Sequence, residues 1–332
     1  MSLPQTYRAL QAEGIDQPPK IVELPLPTLG KDQVLVKVAF APINPAEIAV
    51  ISGHYPADPI PSPRFVGWEG SGVVATVGED LKLAHKVGDR VHINANGVMA
   101  EYVLANSESF LPVQEGLSLE DASNHFINPA TVVYMGIVAE RGGHKALLHT
   151  AGASQLGRMM IKYFKLKGLK LVNVVRRDDV IQELLDDGAD YVLNSQSEGF
   201  EEKLKEICEK ENVTLAYEAV CGSFTNTILK ALPPKSEVII SGALTGMEIK
   251  DLSIMELFKG KTIGGLFLYT YIDELAKKGG QEEVNKFVQE VHSYLPGALK
   301  TQIQKIYKFD EIFEALEFYK KSSSKGKIVI QF

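Results

Sequence analysis

The chain has 332 residues, 45% of them hydrophobic and 23% charged, with a formal net charge of −7. That is an ordinary globular composition at a length suited to two domains. The acidic balance argues against a nucleic-acid partner, whose affinity comes from Lys and Arg at phosphates, and no apolar run is long enough for a membrane span.

Only two cysteines occur, Cys208 and Cys221, which excludes a disulfide framework and a four-cysteine zinc site and suits a reducing compartment. The histidines are scattered and none stands in H-E-x-x-H. The N-terminal MSLPQTYRAL shows no apolar signal core and no Arg-rich leader. The expectation is a cytoplasmic protein, or a mitochondrial-matrix one if a leader has been removed.

Along the chain, the first third reads as β-rich. VLVKVAF (34–40), GSGVVATVG (70–78) and DRVHI (89–93) are β-branched runs bounded by Gly, Pro and Asp. From about residue 129 the texture changes. A helical period over 130–140 is followed by the short strand ALLHT (146–150) and a helix over 154–168, where Leu156, Met160 and Phe164 share a face. Strands at 169–175, 190–194, 214–220 and 237–242 then alternate with helices at 178–188, 200–211 and 223–231. Such alternation predicts a doubly wound parallel sheet. A helix over 281–294, a strand at 303–309, an amphipathic helix in FDEIFEALEFYKKS and a closing strand in KGKIVIQF follow. The last strand is expected to rejoin the N-terminal domain.

The segment HTAGASQLGRMM (149–160) joins a strand to a helix through a small-residue turn. A pyrophosphate at such a turn would meet open backbone N–H groups and the positive end of a helix dipole. Gly152 is read as supplying an unusual backbone angle, and Gly157 as letting the helix pack close to the sheet. Ser154 stands at the close-approach position, where its hydroxyl can donate to a phosphate oxygen. The bland alternative is a tight turn with no ligand. The next strand ends in VVRRDD, so Arg176 and Arg177 stand where a dinucleotide's adenosine ribose is read. A guanidinium fork matches a 2′-phosphate, which predicts NADPH over NADH. The competing reading is a solvated face, or pairing with Asp178 and Asp179.

Further pieces complete a pattern: INPAEIAVISGHYP (43–56), FVGWEGSGVVATVG (65–78), VGDRV (87–91), MAEYV (99–103), INPATVVY (127–134), AGASQLG, GADYVLN (188–194) and KGKIVIQF. In this order the chain resembles the medium-chain dehydrogenase/reductase superfamily along nearly its full length. The resemblance implies an α/β fold with a GroES-like β-rich catalytic domain (1–125 and 270–332) and a Rossmann domain, a doubly wound parallel sheet that binds NADPH (126–269). Asn44 and Pro45 stand where the family's zinc-dependent members carry a cysteine ligand, and Trp68 where they carry a histidine. The resemblance therefore points to the zinc-independent branch of NADPH:quinone oxidoreductases and enoyl-thioester reductases, with no metal.

Site residues carried over from the family are Tyr55 as proton donor, Asn44 in chemistry or in holding the loop and cofactor, and Asn128 and Thr131 near the nicotinamide ribose and phosphates. Ser154, Gln155 and Leu156 line the pyrophosphate turn with Gly152. Gly242, Ala243 and Leu244 follow a sheet strand, Phe267 and Leu268 line the nicotinamide, and Lys327 is a further cofactor contact. Tyr55 also admits reading as a turn residue, and Trp68 as packing. Substrate-pocket loops are expected near 50–60, 94–98 and 270–280. The implied partners are a small quinone, an enal or an enoyl thioester, and a second copy of the chain, paired through 261–268. A third reading, of a different class, is an NADPH-binding scaffold with little turnover.

Overall fold

The structure is a computed structural model that describes residues 3–14, 17–53, 64–322 and 324–332. The chain folds as two units, residues 1–126 with 301–332, and residues 127–300.

The first unit begins with β1 (Thr6–Ala12), β2 (Lys20–Pro25), β3 (Gln33–Pro42), α1 (Pro45–Ile51), β4 (Arg64–Phe65), β5 (Glu69–Val77), β6 (Arg90–Asn94), β7 (Tyr102–Asn106), β8 (Phe110–Pro112) and α2 (Leu119–Ala122). The second carries α3 (Ile127–Arg141), β9 (Ala146–His149), α4 (Gln155–Leu166), β10 (Lys170–Val175), α5 (Ile181–Asp186), β11 (Tyr191–Asn194), α6 (Phe200–Lys210) and β12 (Leu215–Glu218). It continues through α7 (Phe224–Ala231), β13 (Glu237–Ile240), α8 (Ile254–Phe258), β14 (Thr262–Gly265) and α9 (Leu268–Tyr294). The chain returns to the first unit with β15 (Ile303–Lys308), α10 (Ile312–Ser322) and β16 (Lys327–Gln331).

In the first unit β15-β16-β3-β5-β6-β8 form one sheet, with β7 also pairing β3, and β2-β1-β4 form another. Their inward positions build a core of Val34, Val36, Val38, Ile43, Val91, Ile93, Phe110, Ile328 and Ile330. The closing strand does rejoin this unit: β16 runs antiparallel to β3, with Ile330 opposite Ala41.

The second unit holds a parallel sheet of order β11-β10-β9-β12-β13-β14. β9 and β12 are buried throughout, as expected of strands covered by helices on both faces. Because β10 and β11 lie to one side of β9 and β12 to β14 to the other, the chain reverses direction between β9 and β12. In doubly wound sheets ligands bind at such a switch point, outside the carboxyl ends of the strands.

Two expectations need correction. The return to the β-rich unit falls at Thr301 rather than at residue 270. Residues 270–280, read as a loop, are helical apart from the kink at Gly279 and Gly280. The reason is aromatic packing that local sequence does not announce. Tyr271 of α9 stacks on Tyr134 of α3 at 4.0 Å between centroids, and Tyr294 meets Tyr163 of α4 edge-on at 4.9 Å. These contacts tie α9 to the second unit.

Candidate functional site

The strand ends of the second unit converge on the predicted turn. Ser154 caps α4: its Oγ accepts from the Gly157 N–H at 3.0 Å and its carbonyl from the Arg158 N–H. Its hydroxyl hydrogen stays available, so the serine is a helix cap first and can be a phosphate donor second. Among the described residues, no protein acceptor meets the N–H groups of Ala153 and Leu156. The positive end of α4 thus presents open donors, and an anion fits them.

The two glycines are needed for contact rather than for an unusual angle. Gly152 has no positive φ; a Cβ there would lie 2.8 Å from Cβ of Asn173 on β10. At Gly157 a Cβ would lie 2.5 Å from the Gly152 carbonyl oxygen. The helix therefore abuts the turn so closely that only glycine fits. Leu156 is half-buried, while Met160 and Phe164 are in the core.

Arg176 and Arg177 follow β10 directly and are both exposed. Arg177 Nε pairs with Asp179 at 3.2 Å, whereas Arg176 makes no ion pair among the described residues. Gly242, Ala243 and Leu244 follow β13. The Leu244 N–H bonds the Ala219 carbonyl at 3.0 Å, which ties that loop to the end of β12. Phe267, half exposed, precedes α9, whose first residue Leu268 is buried. Gly152 to Leu156, the two arginines, Gly242 to Leu244 and Phe267 thus share the carboxyl edge of one sheet. Asn128 and Thr131 sit near the start of α3, where Thr131 Oγ1 donates to the Ile127 carbonyl at 2.7 Å. Among the described residues no hydrogen bond links them to the strand-end loops.

His149 and Glu218 were not selected from the sequence as site residues. His149 ends β9, and burial pushes its pKa down to about 4, so the imidazole is neutral. Glu218 ends β12 fully buried, accepting from Thr150 Oγ1, Thr225 Oγ1 and the N–H groups of Val220 and Cys221. A buried acid at a strand end was visible in TLAYEAV, but its partners come from three separate segments.

In the first unit the structure brings Asn44 and Lys327 together, although they lie 283 positions apart. The Lys327 ammonium donates to Asn44 Oδ1, and Asn44 Nδ2 donates to Glu69 Oε1 at 3.1 Å. The Asn44 backbone N–H donates to Glu47 Oε2 at 2.7 Å, closing the first turn of α1 behind Pro45. All four residues are buried. Burial pushes the Glu47 carboxyl up to about 7, with Lys327 pulling the other way, and burial lowers the pKa of Lys327 against Glu69 and Glu47. Lys327, expected at the cofactor, is here bonded to Asn44 inside the β-rich unit.

Tyr55 lies outside the described residues, which resume at Arg64 after Gly53. No three His, Cys, Asp or Glu side chains stand together as a metal cage among the described residues. The Asn44 side-chain oxygen is already engaged by Lys327.

A β-rich unit joined to a doubly wound nucleotide-binding unit is the architecture of a two-domain dehydrogenase or reductase. Comparison with known proteins agrees. Residues 30–115 match the family model of the alcohol dehydrogenase GroES-like domain, and residues 156–291 that of the zinc-binding dehydrogenases. A mitochondrial enoyl-[acyl-carrier-protein] reductase of Caenorhabditis elegans is 29% identical over 308 residues, spanning 89% of this chain and 86% of the relative. A Mesorhizobium loti structure assigned to the NADPH:quinone reductases superposes with a TM-score of 0.88 at 27% identity over 100% of both chains. Escherichia coli quinone oxidoreductase complexed with NADPH shares the fold, with a TM-score of 0.84 at 22% identity over 98% of this chain and 100% of that one. The chain thus carries both domain types of the zinc-binding dehydrogenase models, the layout of the medium-chain dehydrogenase/reductase superfamily, and is similar to quinone oxidoreductases and enoyl reductases.

Proposed function

We propose that the protein is an NADPH-dependent oxidoreductase that delivers hydride to a quinone or to the C=C of a conjugated carbonyl. The observation that carries this is the carboxyl edge of the parallel sheet, where the glycine-tight turn and open N–H groups at α4 share one rim with Arg176 and Arg177.

NADPH, when bound, supplies the hydride. The N–H groups of Ala153 and Leu156, with the Ser154 hydroxyl, hold the pyrophosphate. Arg176, which makes no ion pair among the described residues, takes the 2′-phosphate, and Arg177 joins it by exchanging Asp179. Gly242, Ala243, Leu244, Phe267 and Leu268 line the nicotinamide end, with Gln155, Asn128 and Thr131 as further contacts. Tyr55 donates the proton to the α-carbon of a conjugated carbonyl; a phenol of ordinary pKa about 10 does this only where its site stabilises the phenolate. Asn44, held by Lys327, Glu69 and Glu47, anchors the helix that leads toward Tyr55.

The Caenorhabditis elegans relative favours an enoyl thioester, and the Mesorhizobium loti neighbour a quinone. The compartment is cytoplasmic, or the mitochondrial matrix, the enoyl reductase relative being named mitochondrial. The protein is a homodimer paired through the exposed β14 edge.

The test is NADPH consumption with phenanthrenequinone and with a trans-2-enoyl-CoA, repeated with NADH and with Tyr55→Phe. Turnover with at least one acceptor is expected, at about tenfold or greater preference for NADPH over NADH in kcat/KM. Tyr55→Phe is expected to lower kcat by about a hundredfold with the enoyl thioester and little with the quinone. Tight NADPH binding with no oxidation across the panel would instead favour a scaffold.

A further inference from the structure

Glu218 is a buried carboxylate, 0% exposed, that takes four hydrogen bonds from three different segments. Oε1 accepts from Thr150 Oγ1 at 3.1 Å and from the Val220 N–H at 2.6 Å. Oε2 accepts from the Cys221 N–H at 2.8 Å and from Thr225 Oγ1 at 2.9 Å. Burying a carboxylate is costly unless it is fully hydrogen-bonded. All four donors must therefore stay in place together.

One of the tethered segments leads into proposed cofactor contacts, and a second supports the loop that carries others. Thr150 immediately precedes the turn at 151–154, and its Oγ1 also accepts the Ala219 N–H at 2.8 Å. On the other side, the loop after β12 is bent back through left-handed residues, Cys221 at φ +67° and Gly222 at φ +66°. For cysteine that conformation is unfavourable and persists only where neighbours impose it; here the Glu218 carboxylate holds its N–H. The bent loop in turn supports the loop after β13. The Ala219 carbonyl accepts from the Leu244 N–H at 3.0 Å, the Val220 carbonyl from the Thr245 N–H at 2.9 Å, and the Gly242 carbonyl from Cys221 Sγ at 3.2 Å.

We infer that Glu218 is the positioning residue of the dinucleotide site, setting the spacing between the phosphate turn after β9 and the Gly242 to Leu244 loop after β13. This rests on the cofactor reading proposed above. Thr225 is a different kind of partner. It sits on α7 and helps to satisfy the carboxylate, but it leads to neither cofactor loop.

The chemistry makes Glu218→Gln informative. Each oxygen serves one backbone N–H, so whichever way the glutamine amide turns, the N–H of Val220 or Cys221 faces an NH2 group. Thr150→Val and Thr225→Val form a matched pair, each removing one hydroxyl from the same carboxylate. Binding of NADPH is read by its fluorescence, and stability by thermal unfolding. Glu218→Gln and Thr150→Val should each weaken NADPH about tenfold or more, while Thr225→Val lowers Tm by an amount comparable to Thr150→Val yet leaves the Kd within about twofold. If Glu218→Gln fails to fold, the threonine pair decides. Unchanged affinity in Thr150→Val, or equal losses of affinity in both threonine variants, would overturn the positioning role while leaving the cofactor site standing. Failure of the unaltered protein to bind NADPH would overturn the cofactor reading itself, and this inference with it.

Discussion

The polar cluster under α1 shows how single residues are governed by what surrounds them. The Asn44 amide is engaged by Lys327 and Glu69, and its backbone N–H is capped by Glu47. Burial raises Glu47 from 4.5 to about 7, with Lys327 and Glu69 facing it and Tyr319 of α10 feeling its charge. A raised carboxyl favours the folded state fully below its unfolded pKa, and that contribution is lost as pH rises through the folded value. Glu47→Gln is neutral at every pH and so lacks this dependence. Its stability deficit relative to the unaltered protein should shrink between pH 5 and pH 8 in urea unfolding. A deficit that stays constant or grows would contradict the assignment. His92 and His149, both lowered to about 4, give the opposite slope below pH 6.5, but they are common to both proteins and cancel.

The turn at 151–154 and α4 act as one element. Ser154 caps the helix, Gly157 accepts the close approach of the turn, and the resulting geometry leaves the Ala153 and Leu156 N–H groups open. Gly157→Ala should preserve helicity, since alanine is the better helix former. Its Cβ, however, would meet the Gly152 carbonyl oxygen at 2.5 Å and push the turn away. We expect NADPH affinity to fall by about tenfold or more with little change in far-ultraviolet circular dichroism; unaltered affinity would mean that the turn does not seat the dinucleotide. Elements of this kind were legible in the sequence, because strand, small-residue turn and apolar helix follow one another within HTAGASQLGRMM. The first half of α9 was not. Its helical face is set by Tyr271 on Tyr134, with Arg141 over the Tyr271 ring, and these partners are remote in sequence.

For the molecule as a whole, the second unit's sheet ends in β14, an unpaired edge. Near it in sequence stand Ile254, Met255, Phe258 and Phe267, each at least half exposed. An edge strand accompanied by exposed apolar side chains suits self-pairing rather than solvent. Light scattering should give a two-chain mass, and Phe258→Glu should shift the protein toward one chain and remove the concentration dependence that association gives the unfolding midpoint. A single-chain mass for the unaltered protein would end the dimer proposal.

By itself the sequence determined the alternation that makes the parallel sheet, the turn at 151–154 and the arginines after β10. These are local patterns, encoded by period, by glycine and by residue identity at a known place. Tertiary structure alone decided that Lys327 bonds Asn44, that Glu218 joins three segments, and that the chain returns at Thr301. Each depends on partners far apart in the chain, and burial, which removes water as the alternative partner, makes those long-range bonds obligatory.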